Sequence, residues 1–195
     1  MGKLILVRHA ESEDKGSEIV LTKKGVSQAK ALAKFLSELT ISKAFVSDTK
    51  RALQTYEEYR KLKPEVPAEI SSCFQEIYRV VVGGVEKPGT PKEKEQQDKE
   101  RAEQAFIRVI NEAEGNASIA LFAHANLIRF FISKILNMEN KNLWDTMFID
   151  NASVSLIEIS KGKQILRLLS SISHLGDKET RRFFAKDALE MHYFS

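Results

Sequence analysis

The stretch that most constrains the fold is a run of apolar residues, Leu4 to Val7, that stops abruptly at Arg8 and His9. A short continuous apolar run is typical of a strand buried on both faces, as in a parallel sheet. Ligands of open α/β sheets bind beyond the carboxyl ends of such strands. Arg8 and His9 therefore stand where a site is expected, although a surface arginine and a capping histidine explain the same residues equally well.

Strands and amphipathic helices alternate along the rest of the chain. Apolar residues at helical spacing after the N-cap candidate Thr22 predict a helix over 23–39. Further predicted elements are strands over 43–47 and 118–123 and helices over 49–62 and 127–136. Two strands separated by a helix form a right-handed βαβ unit, so the chain is predicted to be an α/β protein.

The remaining segments give weaker predictions. A loop is expected over 8–21, an extended segment over 68–78 and a hairpin on either side of Gly162. Glycines, prolines and mixed charges predict a flexible loop at 83–100 that runs into a solvated helix ending near 113. That loop is either a mobile lid or a plain surface excursion. The C-terminal residues 177–195 are predicted to form a helix with a loose end, within one domain spanning 1–195.

Composition narrows the class of protein. The 195 residues carry a net charge of +3 with both signs interleaved, which argues against nucleic acid as a partner. A single cysteine, Cys73, allows no internal disulfide and fits a reducing, cytoplasmic location. No apolar stretch reaches the length of a membrane span, and the short first run is no signal peptide, so no membrane association is expected.

Several chemistry-bearing residues follow the predicted strands. Arg8 and His9 follow the first strand, Arg51 and His124 follow later strands, and Glu76 lies between these in sequence. If the strands are neighbours, two arginines and two histidines form an electropositive pocket that suits a tetrahedral dianion. In phosphoryl transfer the arginines would spread the charge of the oxygens, one histidine would attack, and the carboxylic acid would protonate the leaving oxygen.

Other chemistries are weaker. The four histidines and one cysteine show neither His-x-x-x-His nor Cys-x-x-Cys spacing, so no metal site and no cofactor is predicted. A catalytic Cys73 is conceivable, but a lone cysteine is more often a small packed hydrophobe. Each arginine and histidine also has an ordinary structural explanation, as a solvated helix residue or a core or cap histidine.

Four motifs together resemble the histidine phosphatase superfamily, the phosphoglycerate mutase-like proteins. They are Leu-Val-Arg-His-Ala-Glu-Ser at 6–12, Leu-Thr-Lys-Lys-Gly-Val-Ser-Gln-Ala at 21–29, Ser-Asp-Thr-Lys-Arg-Ala-Leu-Gln-Thr at 47–55 and Ala-His-Ala-Asn-Leu-Ile-Arg at 123–129. The resemblance covers essentially residues 3–170. It implies a three-layer α/β/α sandwich with a mostly parallel central sheet.

The resemblance also implies roles for the residues that match these motifs. His9 would be the nucleophile that forms a phosphohistidine, with Arg8, Arg51 and His124 holding the phosphoryl group. Glu76 is the best match for the general acid, and no metal or other cofactor is required. His9 must be neutral and His124 is expected to be cationic beside the phosphate.

Finer predictions concern the surroundings of the nucleophile. Ser12 and Ala125 are further candidates for contacts to the substrate. A backbone carbonyl in the loop after His9, with Gly16 as one candidate, is expected to accept a hydrogen bond from its second ring nitrogen. Departures from the family pattern are Ala10, where glycine is commoner, and Lys15, where many sugar-phosphate members have asparagine.

Within the superfamily, residues 124–130 and 151–155 are most similar to the mutase-like serine/threonine protein phosphatases. The expected partner is therefore a phosphorylated small molecule or a phosphoprotein. The short region between Glu76 and His124 favours a phosphatase over a phosphoglycerate mutase-type phosphotransferase. A weakly catalytic module that binds phosphorylated ligands is the other alternative. Apolar residues within 177–195 would dock on their own domain or on a second subunit, so a homodimer is possible.

Overall fold

A six-stranded sheet forms the centre of the computed structural model, which describes residues 1–86, 88–89, 91–114, 117–138 and 142–176. In chain order the strands are β1 (Gly2–Arg8), β2 (Ser12–Asp14), β3 (Ile19–Leu21), β4 (Lys43–Ser47), β5 (Ala68–Ser71), β6 (Ser118–Ala123), β7 (Val154–Ser160) and β8 (Lys163–Ser171). The central sheet has the order β5-β4-β6-β1-β7-β8, and β2 and β3 form a separate antiparallel pair. The first four of the central strands are parallel, and β7 and β8 are antiparallel additions at one side.

Helices cover both faces of this sheet. They are α1 (Lys23–Ser37), α2 (Lys50–Leu62), α3 (Lys92–Ala113), α4 (Ala125–Ile135) and the short α5 (Leu143–Thr146). Thr22 caps α1 as predicted, because its hydroxyl accepts the Gly25 N–H at 2.9 Å. None of the helices in the described part of the chain is long and apolar enough to cross a membrane.

Strand β1 shows why the first apolar run is continuous. Leu4 and Leu6 pack into the cluster formed with α3 and α4, whereas Ile5 and Val7 pack into the cluster formed with α1 and α2. Successive side chains of a strand point to opposite faces, so a strand covered on both faces is apolar throughout. The predicted α/β/α sandwich with a mostly parallel sheet is confirmed.

The element predictions hold for the buried strands and long helices and fail in the short, polar connections. The predicted loop over 8–21 contains the β2–β3 pair, whose three-residue strands are too short to show an alternating pattern. The segment 68–78 is a strand only to Ser71, and a 3₁₀ turn, Ser72–Phe74, follows. Helix α3 begins at Lys92, so it includes the second half of the predicted 83–100 loop. The predictions for 177–195 lie outside the described residues.

Candidate active site

The two histidines of the predicted constellation lie side by side because their strands are neighbours. Arg8 pairs with Ala123 across β1 and β6, so His9 and His124, the next residues, leave the sheet together. Their ring centroids are 5.1 Å apart with the planes at 61°. Strand β4 flanks β6 on its other side and leads into α2, whose first turn carries Arg51. The structure thus brings together residues that are separated by more than a hundred positions in the chain.

Hydrogen bonds fix the tautomer of His9. Its Nδ1 lies 2.8 Å from the carbonyl oxygen of Ala10, which only accepts, so Nδ1 carries the proton. Arg51 Nε donates to His9 Nε2 at 3.0 Å, so Nε2 presents its lone pair. The predicted bond to a backbone carbonyl is confirmed, but the acceptor is Ala10 and not Gly16. Burial and then the positive charge of Arg8 lower the pKa of His9 well below 6.5, so the ring is neutral.

His124 is fixed in the opposite tautomer. Its Nδ1 accepts from Arg51 Nη2 at 3.1 Å, and its Nε2 therefore donates to Ser47 Oγ at 2.9 Å, with Thr49 Oγ1 at 3.2 Å. Burial first, and then His9 and Arg51, lower the pKa of His124 well below 6.5. Burial, His9 and the arginines favour the neutral ring, so a cationic His124 requires the negative charge of a phosphate beside it and stays a prediction.

Arg8 supplies a charged donor beside His9. Its Nη1 donates to the carbonyl oxygen of Ile149, while its buried Nε has no hydrogen-bond partner among the residues that the structure describes. Burial lowers the pKa of Arg8 to about 10, partly offset by Glu76, so the guanidinium stays protonated at neutral pH. A buried donor without a partner is costly unless a ligand accepts from it, which favours an anion in this position.

Glu76 reaches the pocket from outside the sheet. Its Oε1 accepts three backbone N–H groups, from Asn126 at 3.0 Å, Leu127 at 3.2 Å and Ile77 at 3.2 Å. Two of these belong to the first turn of α4, which favours a negative charge. Part of the residue is exposed, as is usual for a group that lines a pocket. Even so, desolvation of the carboxyl group outweighs Arg8 and the hydrogen bonds, and raises the pKa of Glu76 above 4.5.

The two other predicted contact residues lie at the edges of this group. Ser12 begins β2, three residues beyond His9, and Ala125 begins α4 directly after His124. Ala125 is buried, and the N–H groups of the two residues after it are already bound to Glu76. A substrate contact by Ser12 or Ala125 stays a prediction.

The residues that hold the backbone after His9 lie in two of the family motifs, where the sequence analysis assigned them no roles. Thr55 Oγ1 accepts the N–H of Ala10 at 3.0 Å, and Gln28 Oε1 accepts the N–H of Glu11 at 2.9 Å. Gly25 is required because a Cβ there would lie 1.9 Å from the carbonyl oxygen of Glu11. Helices α1 and α2 therefore hold the loop after β1 by its backbone. Their positions within 21–29 and 47–55 were the signal that could have identified them.

Metal and thiol chemistry find little support in these residues. Within the ranges that the structure describes, no three His, Cys, Asp or Glu side chains are placed to hold a metal ion. Cys73 is half-buried and packs against the core cluster of α3 and α4. Burial raises the pKa of its thiol, which disfavours the thiolate that a catalytic cysteine needs.

Comparison with known proteins identifies relatives of this arrangement. The sequence model of the histidine phosphatase superfamily (branch 1) matches residues 4–86 and 82–171. A Schizosaccharomyces pombe protein named as a probable phosphatase is 35% identical over 81 residues, which are 38% of this chain. The chain spans only about two fifths of that relative, since the match covers 39% of its length.

Solved structures show the same fold at low sequence identity. Bacillus stearothermophilus YhfR superposes with a TM-score of 0.71 at 19% identity, over 90% of this chain and 100% of that one. The α-ribazole phosphatase of Shigella flexneri gives 0.70 at 20%, over 87% and 96% of the two chains. Phosphoserine phosphatase of Entamoeba histolytica, in complex with 3-phosphoglyceric acid, gives 0.69 at 19%, over 90% and 100%.

Proposed function

The chain belongs to the histidine phosphatase superfamily, and we propose that it is a metal-independent phosphomonoester hydrolase that works through a phosphohistidine on His9. One observation carries this proposal. The Nδ1–H of His9 donates to a carbonyl, and its Nε2 lone pair lies against the guanidinium of Arg51. Once the oxygens of a phosphate ester take over the Arg51 guanidinium, the Nε2 lone pair of this neutral imidazole is free to attack an electrophile that carries negative charge.

In the first step His9 Nε2 attacks phosphorus and forms an N–P bond. The ester P–O bond breaks, its electron pair stays on the leaving oxygen, and Glu76 gives that oxygen its proton. The raised pKa of Glu76 favours the protonated acid that this step needs. Because Oε1 already accepts three backbone N–H groups, Oε2 is the oxygen that carries the proton.

In the second step water attacks the phosphohistidine. Glu76, now a carboxylate, takes a proton from the water, the N–P bond breaks, and inorganic phosphate leaves. Nε2 regains its lone pair and Glu76 is again protonated, so the cycle returns to its start. The N–H groups of α4 that contact Glu76 stabilise its anionic form between the two steps.

The arginines act on the charge of the transferring group. Arg51 Nε and Nη2 already point at the two histidines, and the buried Nε of Arg8 has no partner in the described part of the chain. These donors suit the equatorial oxygens of a phosphoryl group in the transition state. This arrangement leaves the neutralisation of charge to protein side chains, which supports a reaction without a metal.

Among substrates, we favour phosphorylated small molecules over phosphoproteins. Two structural relatives are named for phosphoserine and α-ribazole phosphatase activity. Arg79, which is partly exposed, lies 5.6 Å from the ring of Trp144. A cation and an aromatic ring placed together in this way suit a compact anionic substrate.

The test is phosphate release from p-nitrophenyl phosphate in buffer containing EDTA. The wild type should turn over, and His9→Ala should lose activity on the order of 10³-fold or more. Lys61→Ala is the control, because Lys61 is exposed near the end of α2 and pairs with Glu58. Equal activity of wild type and His9→Ala would refute the nucleophile, and binding of phosphate without turnover would favour the binding module.

A further inference from the structure

We infer that Arg101 of α3, paired with Asp98, is a positioning residue that holds the general acid Glu76 in place. The inference rests on the proposed function and adds a determinant of the protonation step. The mixed-charge run that contains both residues is otherwise an ordinary solvated helix surface.

The segment that carries Glu76 needs support that a sheet does not give it. His9 and His124 directly follow the last residues of β1 and β6, whereas Glu76 lies five residues beyond the end of β5. Between them the chain forms one 3₁₀ turn, Ser72–Phe74, and then leaves regular structure. A proton donor must be held within fractions of an ångström of its acceptor, so something outside the sheet must hold this backbone.

Arg101 contacts the backbone of Glu76 and of the residues that precede it. Its Nη1 donates to the carbonyl oxygen of Gln75 at 2.8 Å, and its Nη2 donates to that of Glu76 itself at 3.0 Å. Longer contacts of 3.5 and 3.4 Å reach the carbonyls of Ser72 and Cys73. Only a guanidinium presents enough donors in one plane for such a set of acceptors.

Asp98 binds the backbone on the C-terminal side of Glu76. Its Oδ1 lies 2.6 Å from Arg101 Nη2, and its Oδ2 accepts the N–H of Tyr78 at 2.7 Å. Asp98 is only 5% exposed, and a carboxylate this buried is rarely found without charged partners. Lys94 adds a second cation at 3.2 Å. The pair therefore binds the backbone on both sides of Glu76.

The two ends of Glu76 are thus held by different helices. Helix α3 fixes its main chain through Arg101, and α4 fixes its carboxyl group through the N–H groups of Asn126 and Leu127. Without Arg101 the carboxyl group keeps its anchor but the main chain behind it loses two short hydrogen bonds. We expect the carboxyl oxygen that carries the proton to drift from the leaving oxygen.

A comparison of two leaving groups distinguishes the positioning role of Arg101 from an effect on the stability of the protein or on the charge of the pocket. p-Nitrophenolate leaves with little help from an acid, whereas an alkoxide needs the proton. We therefore compare kcat/KM for p-nitrophenyl phosphate and for an alkyl phosphate in wild type, Arg101→Met and Arg101→Lys. Because kcat/KM reports the first chemical step, slower hydrolysis of the phosphohistidine does not enter the comparison.

Arg101→Met should lower kcat/KM for the alkyl ester on the order of 10²-fold, and for p-nitrophenyl phosphate by less than about tenfold. Arg101→Lys keeps the charge beside Asp98 but not the planar set of donors. Its kcat/KM for the alkyl ester should therefore lie between those of wild type and Arg101→Met. Arg108→Met is the control: Arg108 lies two turns further along α3, is half exposed and pairs with Glu69 at 2.7 Å. It should leave both rates unchanged.

The outcomes distinguish this inference from the proposed function. An equal loss on both esters, or no loss, would contradict the positioning role while the proposed function stands. An inactive wild type on both esters would contradict the proposed function itself and this inference with it. If Arg101→Met does not fold, thermal unfolding will show it. The ratio of kcat/KM for p-nitrophenyl phosphate to kcat/KM for the alkyl phosphate, measured in Arg101→Lys, then tests the positioning role.

Discussion

His9 and His124 each follow the last residue of a buried parallel strand. Glu76 instead lies on an irregular segment that is held by hydrogen bonds from the Arg101 side chain. Because the proposed function assigns the attack to His9 and the protonation to Glu76, we call the first group, with Arg8 and Arg51, the nucleophile half of the pocket, and Glu76 with residues 72–78 the acid half. The nucleophile half takes its geometry from the register of β1, β4 and β6. The acid half depends on a few contacts from α3 and α4.

The two halves therefore differ in how easily a substitution displaces their side chains. Moving His9 relative to His124 requires the central sheet to shift, which a packed core resists. Moving Glu76 requires only the loss of a hydrogen-bonded side chain on α3. Single substitutions on the molecular surface should therefore affect protonation of the leaving group before they affect phosphoryl binding.

The largest effect is expected for Glu76→Gln. The amide keeps an oxygen for the three N–H donors but cannot supply the proton, so kcat/KM for alkyl phosphates should fall by about 10²–10⁴-fold. In the wild type, Glu76 must be protonated, and activity should fall as the pH rises through its raised pKa. His9 must be neutral, and activity should fall as the pH drops through its lowered pKa.

The pH profile of kcat/KM for Glu76→Gln is the measurement. The wild-type profile should be a bell whose acid limb belongs to His9 and whose alkaline limb belongs to Glu76, and the variant should lose the alkaline limb only. Persistence of that limb in the variant would show that another group is the acid and would remove Glu76 from the comparison.

The next effect tests the backbone scaffold of the nucleophile half through Gly25→Ala. Replacing a helix glycine by alanine normally stabilises a protein by about 0.5–1 kcal/mol. Here the new Cβ would meet the Glu11 carbonyl oxygen at 1.9 Å, so we expect destabilisation of about 1–3 kcal/mol in urea unfolding. Ser27→Ala, on the exposed side of the same helix, should change stability by less than about 0.5 kcal/mol. A more stable Gly25→Ala would show that α1 does not constrain this loop.

The smallest effect is expected for Ser47→Ala, which removes the nearer acceptor of the His124 Nε2–H. Thr49 Oγ1 remains at 3.2 Å, so the loss is one hydrogen bond of about 0.5–1.5 kcal/mol. Activity should fall about two- to tenfold, and ¹⁵N NMR of the imidazoles should show a shift in the tautomer of His124 but not of His9. An unchanged His124 spectrum would mean that Arg51 alone sets its tautomer.

The two halves also differ in what could be predicted. A buried apolar run and the helical pattern after it locate Arg8, His9, Arg51 and His124 at strand and helix ends, because periodicity is a local property. The mixed-charge pattern places Arg101 in a solvated helix, because its acceptors are carbonyls some twenty-five residues away that no local pattern reveals.

The protonation states of His9 and His124 could not be predicted from the sequence either. The acceptor for His9 Nδ1 is Ala10, its immediate neighbour, and a choice between that carbonyl and the one at Gly16 needs the backbone geometry. The neutral His124 follows from its burial next to His9 and Arg51, which depends on how three strands and a helix meet. Sequence patterns place such groups but do not set their charge.

Arg51 Nε donates to His9 Nε2, so the guanidinium that the proposed function assigns to the phosphoryl group also engages the lone pair of the proposed nucleophile. A neutral electrophile has no charge with which to draw the guanidinium away, so it meets an imidazole whose lone pair is engaged. If the proposed function is right, a dianion would offer Arg51 stronger acceptors and so release Nε2 as phosphorus arrives. The exchange of partners at Arg51 would then favour phosphate esters over neutral electrophiles, whatever the rest of the substrate is.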